Sequence, residues 1–176
     1  MADNNPSQQF DFKFIAIFAI TFFGLEGLYH GFRQSFVEPI LIHKVTVIPS
    51  AWLLNLIDNS INVVASEAKL ISSQVKLSVL HGCEGFEVIM MLVAAIFAAK
   101  ASWGQKIWAA LVGSVMVFML NQVRIIVLFY AARDDKDLFN MIHGVAGPLV
   151  IVFLVGLFFY IWQQRQLKAH RQMAAA

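Results

Sequence analysis

Apolar residues gather in long blocks separated by short polar stretches. Three runs are apolar over enough residues to cross a bilayer as helices: Phe14 to about Tyr29, Phe86 to Ala99, and Ile107 to about Ala132. A fourth, Val145 to Trp162, opens with Gly147 and Pro148. A helix tolerates proline in its first turn, where the missing N–H would be unsatisfied anyway. The pattern predicts an all-α integral membrane protein, a bundle of about four transmembrane helices over residues 14–30, 83–99, 107–131 and 145–162. Residues 33–80 predict a small extracytoplasmic segment. Within it, residues 51–66 set Asn55, Asp58, Asn59, Asn62 and Ser66 at helical spacing along one face, among Trp52, Leu53, Leu56, Ile57, Val63 and Val64. That predicts a helix lying in the interface or against the bundle, with a fifth span as the alternative. The alternating VKLSVL before His81 predicts a short strand.

Composition agrees with a membrane bundle. With 59% hydrophobic and 14% charged residues, a 176-residue single domain lacks the polar surface of a soluble globule. The first run resembles a signal peptide in length, but no A-x-A-like site follows Tyr29, so an uncleaved anchor is expected. A net charge of +2, with basic residues scattered, argues against a nucleic-acid partner. One cysteine excludes an intramolecular disulfide and a thiolate-cluster metal site, and no cofactor is expected. The short loop KASWGQK carries Lys100 and Lys106 without an acid, and the tail, residues 163–176, carries Arg165, Lys168 and Arg171 without an acid. Both are expected in the cytoplasm. The loop ARDDKDLFN, with three aspartates against Arg133 and Lys136, is expected on the outer side with the segment before Cys83.

Topology then brings distant residues to one depth. At roughly 1.5 Å per helical residue, Cys83, Arg124 and His143 each lie about 27 to 28 Å from the cytoplasmic side. Arg124, in NQVRIIVLFY, has apolar residues on both sides, and a charge there costs ~2.5 to 3.5 kcal/mol at a helix centre, less near an interface. Such a residue is usually functional or paired. Asn121 is one turn earlier on the same face, and Glu87, four residues after Cys83, is a candidate partner that would hold the guanidinium near the thiol. The thiolate is the reactive form of cysteine, and a cation and a helix N-terminus both favour it. Cys83 is expected to have both, with His143 in reach to move the proton.

GCEGFE at the start of one helix, NQVRIIVLFY near the end of the next and FNMIHG before the last resemble the exosortase/archaeosortase family of membrane cysteine transpeptidases, most closely its short exosortase H group. The blocks cover roughly residues 80–162, and the N-terminal half offers no comparable match. The resemblance implies Cys83, Arg124 and His143 as catalytic residues, with Asn121 and Glu87 supporting. It implies cleavage of a C-terminal sorting signal (motif, transmembrane helix, basic tail) on secreted proteins at the outer face of a bacterial cytoplasmic (inner) membrane. Expected partners are those substrates, membrane lipid, and a surface polysaccharide or lipid acceptor. One departure is the run Gly144, Val145, Ala146, Gly147, where family members often carry aromatic residues after the histidine.

Two other classes compete. A metal site of His81, Cys83, Glu84 and His143 would mix ligands without a regular spacing. A non-catalytic scaffold or small transporter subunit would use Arg124, Glu87, Glu26 and His30 as polar contacts between helices. Glu26, His30 and Arg33 form a stripe at the outer end of the first helix, expected to line the bundle or meet headgroups.

Overall fold

The computed structural model describes residues 12–32, 39–80 and 82–175, with side chains to residue 168. Helix α1 (Phe12–Phe32) buries only Tyr29 and leaves Phe12, Ile20 and Phe23 at least 70% exposed, as a helix surrounded by hydrocarbon should. It packs along α3 (Phe86–Ala98). Among the described residues the chain resumes at Pro39, which has helical dihedrals. A π-helix (Ile40–Val47) runs directly into α2 (Ile48–Ile57). The wide turns are laced by hydroxyls: Thr46 Oγ1 donates to the Leu41 carbonyl at 2.8 Å and Ser50 Oγ to the Thr46 carbonyl at 2.8 Å.

The helix expected over residues 51–66 is therefore displaced. It starts at Ile40 and stops at Ile57, because the polar residues counted as a helical face are turn formers. Asp58 accepts bonds from the Ser60 amide at 3.0 Å and hydroxyl at 2.6 Å, and Asn62 adopts a positive φ of 44°. Asn55 pairs with the Val63 backbone in both directions, at 2.8 and 2.7 Å. Beyond them lies an antiparallel sheet of β1 (Val64–Ser66), β2 (Lys69–Ile71) and β3 (Lys76–Ser78), with Ala65, Leu70 and Leu77 in register. The strand predicted at VKLSVL is β3. Leu70 and Leu77 bury against Val47, Leu54, Ile125, Leu128 and Phe129, forming a core beside the sheet.

Helix α3 begins at Phe86, not at residue 83, and its 13 residues reach only about 20 Å. It is enclosed by α1, α4 (Trp103–Asp134) and α6 (Gly147–Ala175). A second core of Leu92, Ile96, Ala109, Val117, Ile151 and Val155 joins α3, α4 and α6. Gly113 lets them close up: a Cβ there would stand 2.5 Å from Leu92 Cδ2 and 3.0 Å from the Phe158 ring. At the tight turn between α3 and α4, Lys106 Nζ donates to the Phe97 carbonyl at 2.7 Å.

The loop expected at ARDDKDLFN is mostly helix. Asp135 alone separates α4 from α5 (Lys136–Met141), and its carboxylate accepts from the Asp137 and Leu138 amides, capping the new helix. A π turn (Ile142–Ala146) joins α5 to α6 without a break, so α6 itself opens with Gly147 and Pro148 while the continuous helical segment begins at Lys136. The wide turn accommodates the proline, with the Gly147 N–H donating back to the Ile142 carbonyl. The helices Phe12–Phe32, Ile40–Ile57, Trp103–Asp134 and Lys136–Lys168 are long and apolar enough to cross a membrane. The chain is an all-α multi-pass membrane protein with a small sheet at one end.

Candidate active site

Cys83 sits in a turn, not on a helix. Two glycines make that turn, Gly82 at φ 84° and Gly85 at φ 76°, conformations open to glycine and strained for other residues. Gly85 is also the N-cap of α3 and lies against α4, where a Cβ would meet Asn121 Cγ at 3.2 Å. The Cys83 amide donates to the Leu80 carbonyl at 3.0 Å. Its own carbonyl accepts from Asn121 Nδ2 at 2.9 Å. An amide from the middle of a spanning helix thus pins the loop that carries the thiol.

Arg124 is the next residue but two along α4, on the same face. Its guanidinium acts on the thiol by its charge. Nη2 donates to the His143 carbonyl at 3.3 Å, and Nε is buried without a partner. The side chain passes over Gly147, where a Cβ would lie 2.9 Å from Nε and 2.6 Å from the Ile142 carbonyl. Gly147, the last residue of the run after the histidine, therefore leaves room for Arg124 to pass, while a Cβ at Gly144 would meet nothing within 4 Å. Gln122 faces the other way, accepting from Ser50 Oγ at 2.6 Å and tying α2 to α4.

The structure thus brings Cys83, Asn121, Arg124 and the backbone of His143 together. The His143 imidazole is exposed and stacks flat on Phe139, ring centroids 5.4 Å apart, without a hydrogen bond to the thiol. Glu87 is exposed and makes no ion pair with Arg124, because Cys83 is off the helix and the four-residue spacing no longer sets a shared face. His30 lies 3.8 Å from Glu26, while Arg33 and His81 fall outside the described residues.

Sequence reasoning missed the role of Glu84 as a buried residue. It is 8% exposed, accepts from the Tyr29 hydroxyl at 3.0 Å through Oε1, and leaves Oε2 buried without a partner. Its adjacency to Cys83 was visible; the tyrosine, on another helix, was not.

Electrostatics differ from the sequence expectation too. Burial pushes the Cys83 thiol above its ordinary range; Arg124 pulls it down by charge, and the Glu84 charge pushes it up. Desolvation wins, so the resting state favours the neutral thiol.

The family model for transmembrane exosortases (Exosortase_EpsH) matches residues 11–162. The chain belongs to the transmembrane exosortase family. The match takes in α1 and the sheet, so the likeness is wider than the blocks within residues 80–162. No curated protein and no solved structure matches the chain. Family membership supports a membrane peptidase or transpeptidase of the cysteine class with a role in protein sorting. The Asn121-pinned thiol facing Arg124 is the part of this exosortase with geometry suited to such chemistry.

Proposed function

We propose that the chain cleaves the C-terminal sorting signal of secreted proteins at the outer face of the cytoplasmic membrane and transfers the released end to a surface acceptor. The observation that carries this reading is Arg124, reaching from α4 to face the Cys83 thiol and bond the His143 carbonyl. The Cys83 sulfur attacks the scissile carbonyl as its proton passes to the exposed His143 ring, swung from Phe139. A C–S bond forms, and Arg124 stabilises the oxyanion. The intermediate collapses when the C–N bond breaks; the leaving amine takes the proton from His143, and a thioester remains. A nucleophile on the acceptor, or water, then displaces the sulfur. The neutral resting thiol limits wasteful reaction, with Arg124 favouring charge once the substrate closes the site.

The test is precursor accumulation. Cys83→Ala and His143→Ala should insert and fold while secreted proteins bearing the signal stay uncleaved. Normal processing by Cys83→Ala would overturn the reading. A scaffold would tolerate that substitution.

A further inference from the structure

An apolar groove of about 300 Å³ opens between the π-helix, α3 and α4, lined by Leu41, Val45, Phe86, Ile89, Val115 and Phe118. Glu84 is the one ionisable side chain among its described lining residues. The carboxyl is more than nine-tenths buried, yet only one of its oxygens has a partner. A buried acceptor left unmet is unfavourable, so a state in which Oε2 meets a donor is favoured. The hydrogen bond that Glu84 makes goes to Tyr29, and none joins it to the thiol.

We propose that Glu84, oriented by Tyr29, is a substrate-binding residue, its free oxygen accepting a backbone N–H from the polypeptide segment lying in this groove. This rests on the sorting reading of the Cys83 site. A polypeptide fits both halves of the groove, since its side chains meet the apolar wall and every residue except proline offers an N–H. A lipid acyl chain would satisfy the wall and leave Oε2 unmet. Successive Cα atoms are 3.80 Å apart, and an extended strand advances about 3.3 Å per residue. An amide bound at Glu84 therefore belongs to a residue within two or three of the scissile carbonyl at Cys83. Tyr29 is a positioning residue: its hydroxyl occupies Oε1 and leaves Oε2 for the substrate.

The experiment needs no known substrate. Purified full-length protein in nanodiscs is alkylated at Cys83 by two probes, bromoacetyl-leucine N-methylamide and the matching bromoacetyl-leucine methyl ester, which lacks the C-terminal N–H. The amide should label about tenfold faster than the ester in the native chain, the effect of one hydrogen bond to a carboxylate. The ratio should fall towards one in Glu84→Ala, and partly in Tyr29→Phe, which keeps the ring contact with Phe86. If Glu84→Ala does not fold, the Tyr29→Phe ratio decides. Equal rates for both probes in the native chain would overturn the proposal and leave the groove to lipid. Failure of the sorting reading shows separately, as normal precursor processing by Cys83→Ala.

Discussion

Between Ile107 and Leu120, α4 buries Ala109, Gly113 and Val117 against apolar side chains of α3 and α6. One turn further out it buries Asn121 and Gln122 and half-buries Arg124. The inner stretch is held by volume and shape, which any well-packed set of apolar residues could supply. The outer stretch is held by direction, and it leaves Asn121 Oδ1, Gln122 Nε2 and Arg124 Nε buried without partners. At ~1 to 3 kcal/mol for each unmet group, a bundle built only for stability would not contain that stretch. The contrast separates what keeps the helices together from what they are kept together for.

The strongest way to sharpen the contrast is to substitute the outer groups alone. Cys83→Ala should abolish processing with no loss of helix content by circular dichroism. Arg124→Lys should lose roughly 10²- to 10³-fold in the precursor-to-product rate, because an ammonium cannot hold the His143 carbonyl and an oxyanion with one planar fork. A near-native rate for Arg124→Lys would remove the arginine from the chemistry.

Next in size is Gly147→Val. Its Cβ would collide with the Ile142 carbonyl and with Arg124 Nε. Processing should fall by about tenfold or more, with a stability cost of ~1 to 3 kcal/mol. Unchanged processing would mean that Arg124 has another route to the thiol. Gly113→Ala is the inner counterpart, with a Cβ 2.5 Å from Leu92 Cδ2. It should cost ~1 to 3 kcal/mol, read as a lower unfolding midpoint, while activity per folded molecule stays native. Lost activity in folded Gly113→Ala would erase the division between the two stretches.

The smallest effect is on thiol labelling. Burial pushes Cys83 up, so an impermeant maleimide on spheroplasts should label it slowly at neutral pH, with the rise in rate displaced above the ordinary thiol pKa of about 8.5. Removing the cation in Arg124→Ala disfavours the thiolate and should move the profile to higher pH. Removing the negative charge in Glu84→Gln should move it lower. A profile equal to that of an exposed cysteine would sink the account of burial.

Much of this was legible in the sequence for physical reasons. Long apolar runs can only be buried as helices in a bilayer, and a charge such as Arg124 is too costly to be incidental. Asn121 was visible because its spacing to Arg124 is fixed within one helix. What failed was every inference that extended helical spacing across a turn. The residues from Asn55 to Ser66 looked like a polar face, although Asp58 and Asn62 bend the chain; Gly82 and Gly85 bracket Cys83 and could have warned that it stands off the helix. The Tyr29–Glu84 bond spans 55 residues, and no local pattern encodes it.

The π turn at Ile142–Ala146 also sets an angular phase. Each residue of an α-helix turns the chain by about 100°, and a π turn carries roughly one residue more than an α turn over the same rise. Helix α6 is thereby offset from the rotational register that α5 would have passed on. The offset uncouples two bearings on one continuous rod: the direction in which His143 and Phe139 look, and the direction in which α6 meets lipid and α4. Deleting one residue from this turn would re-gear the rod, swinging one bearing against the other while leaving every helix intact.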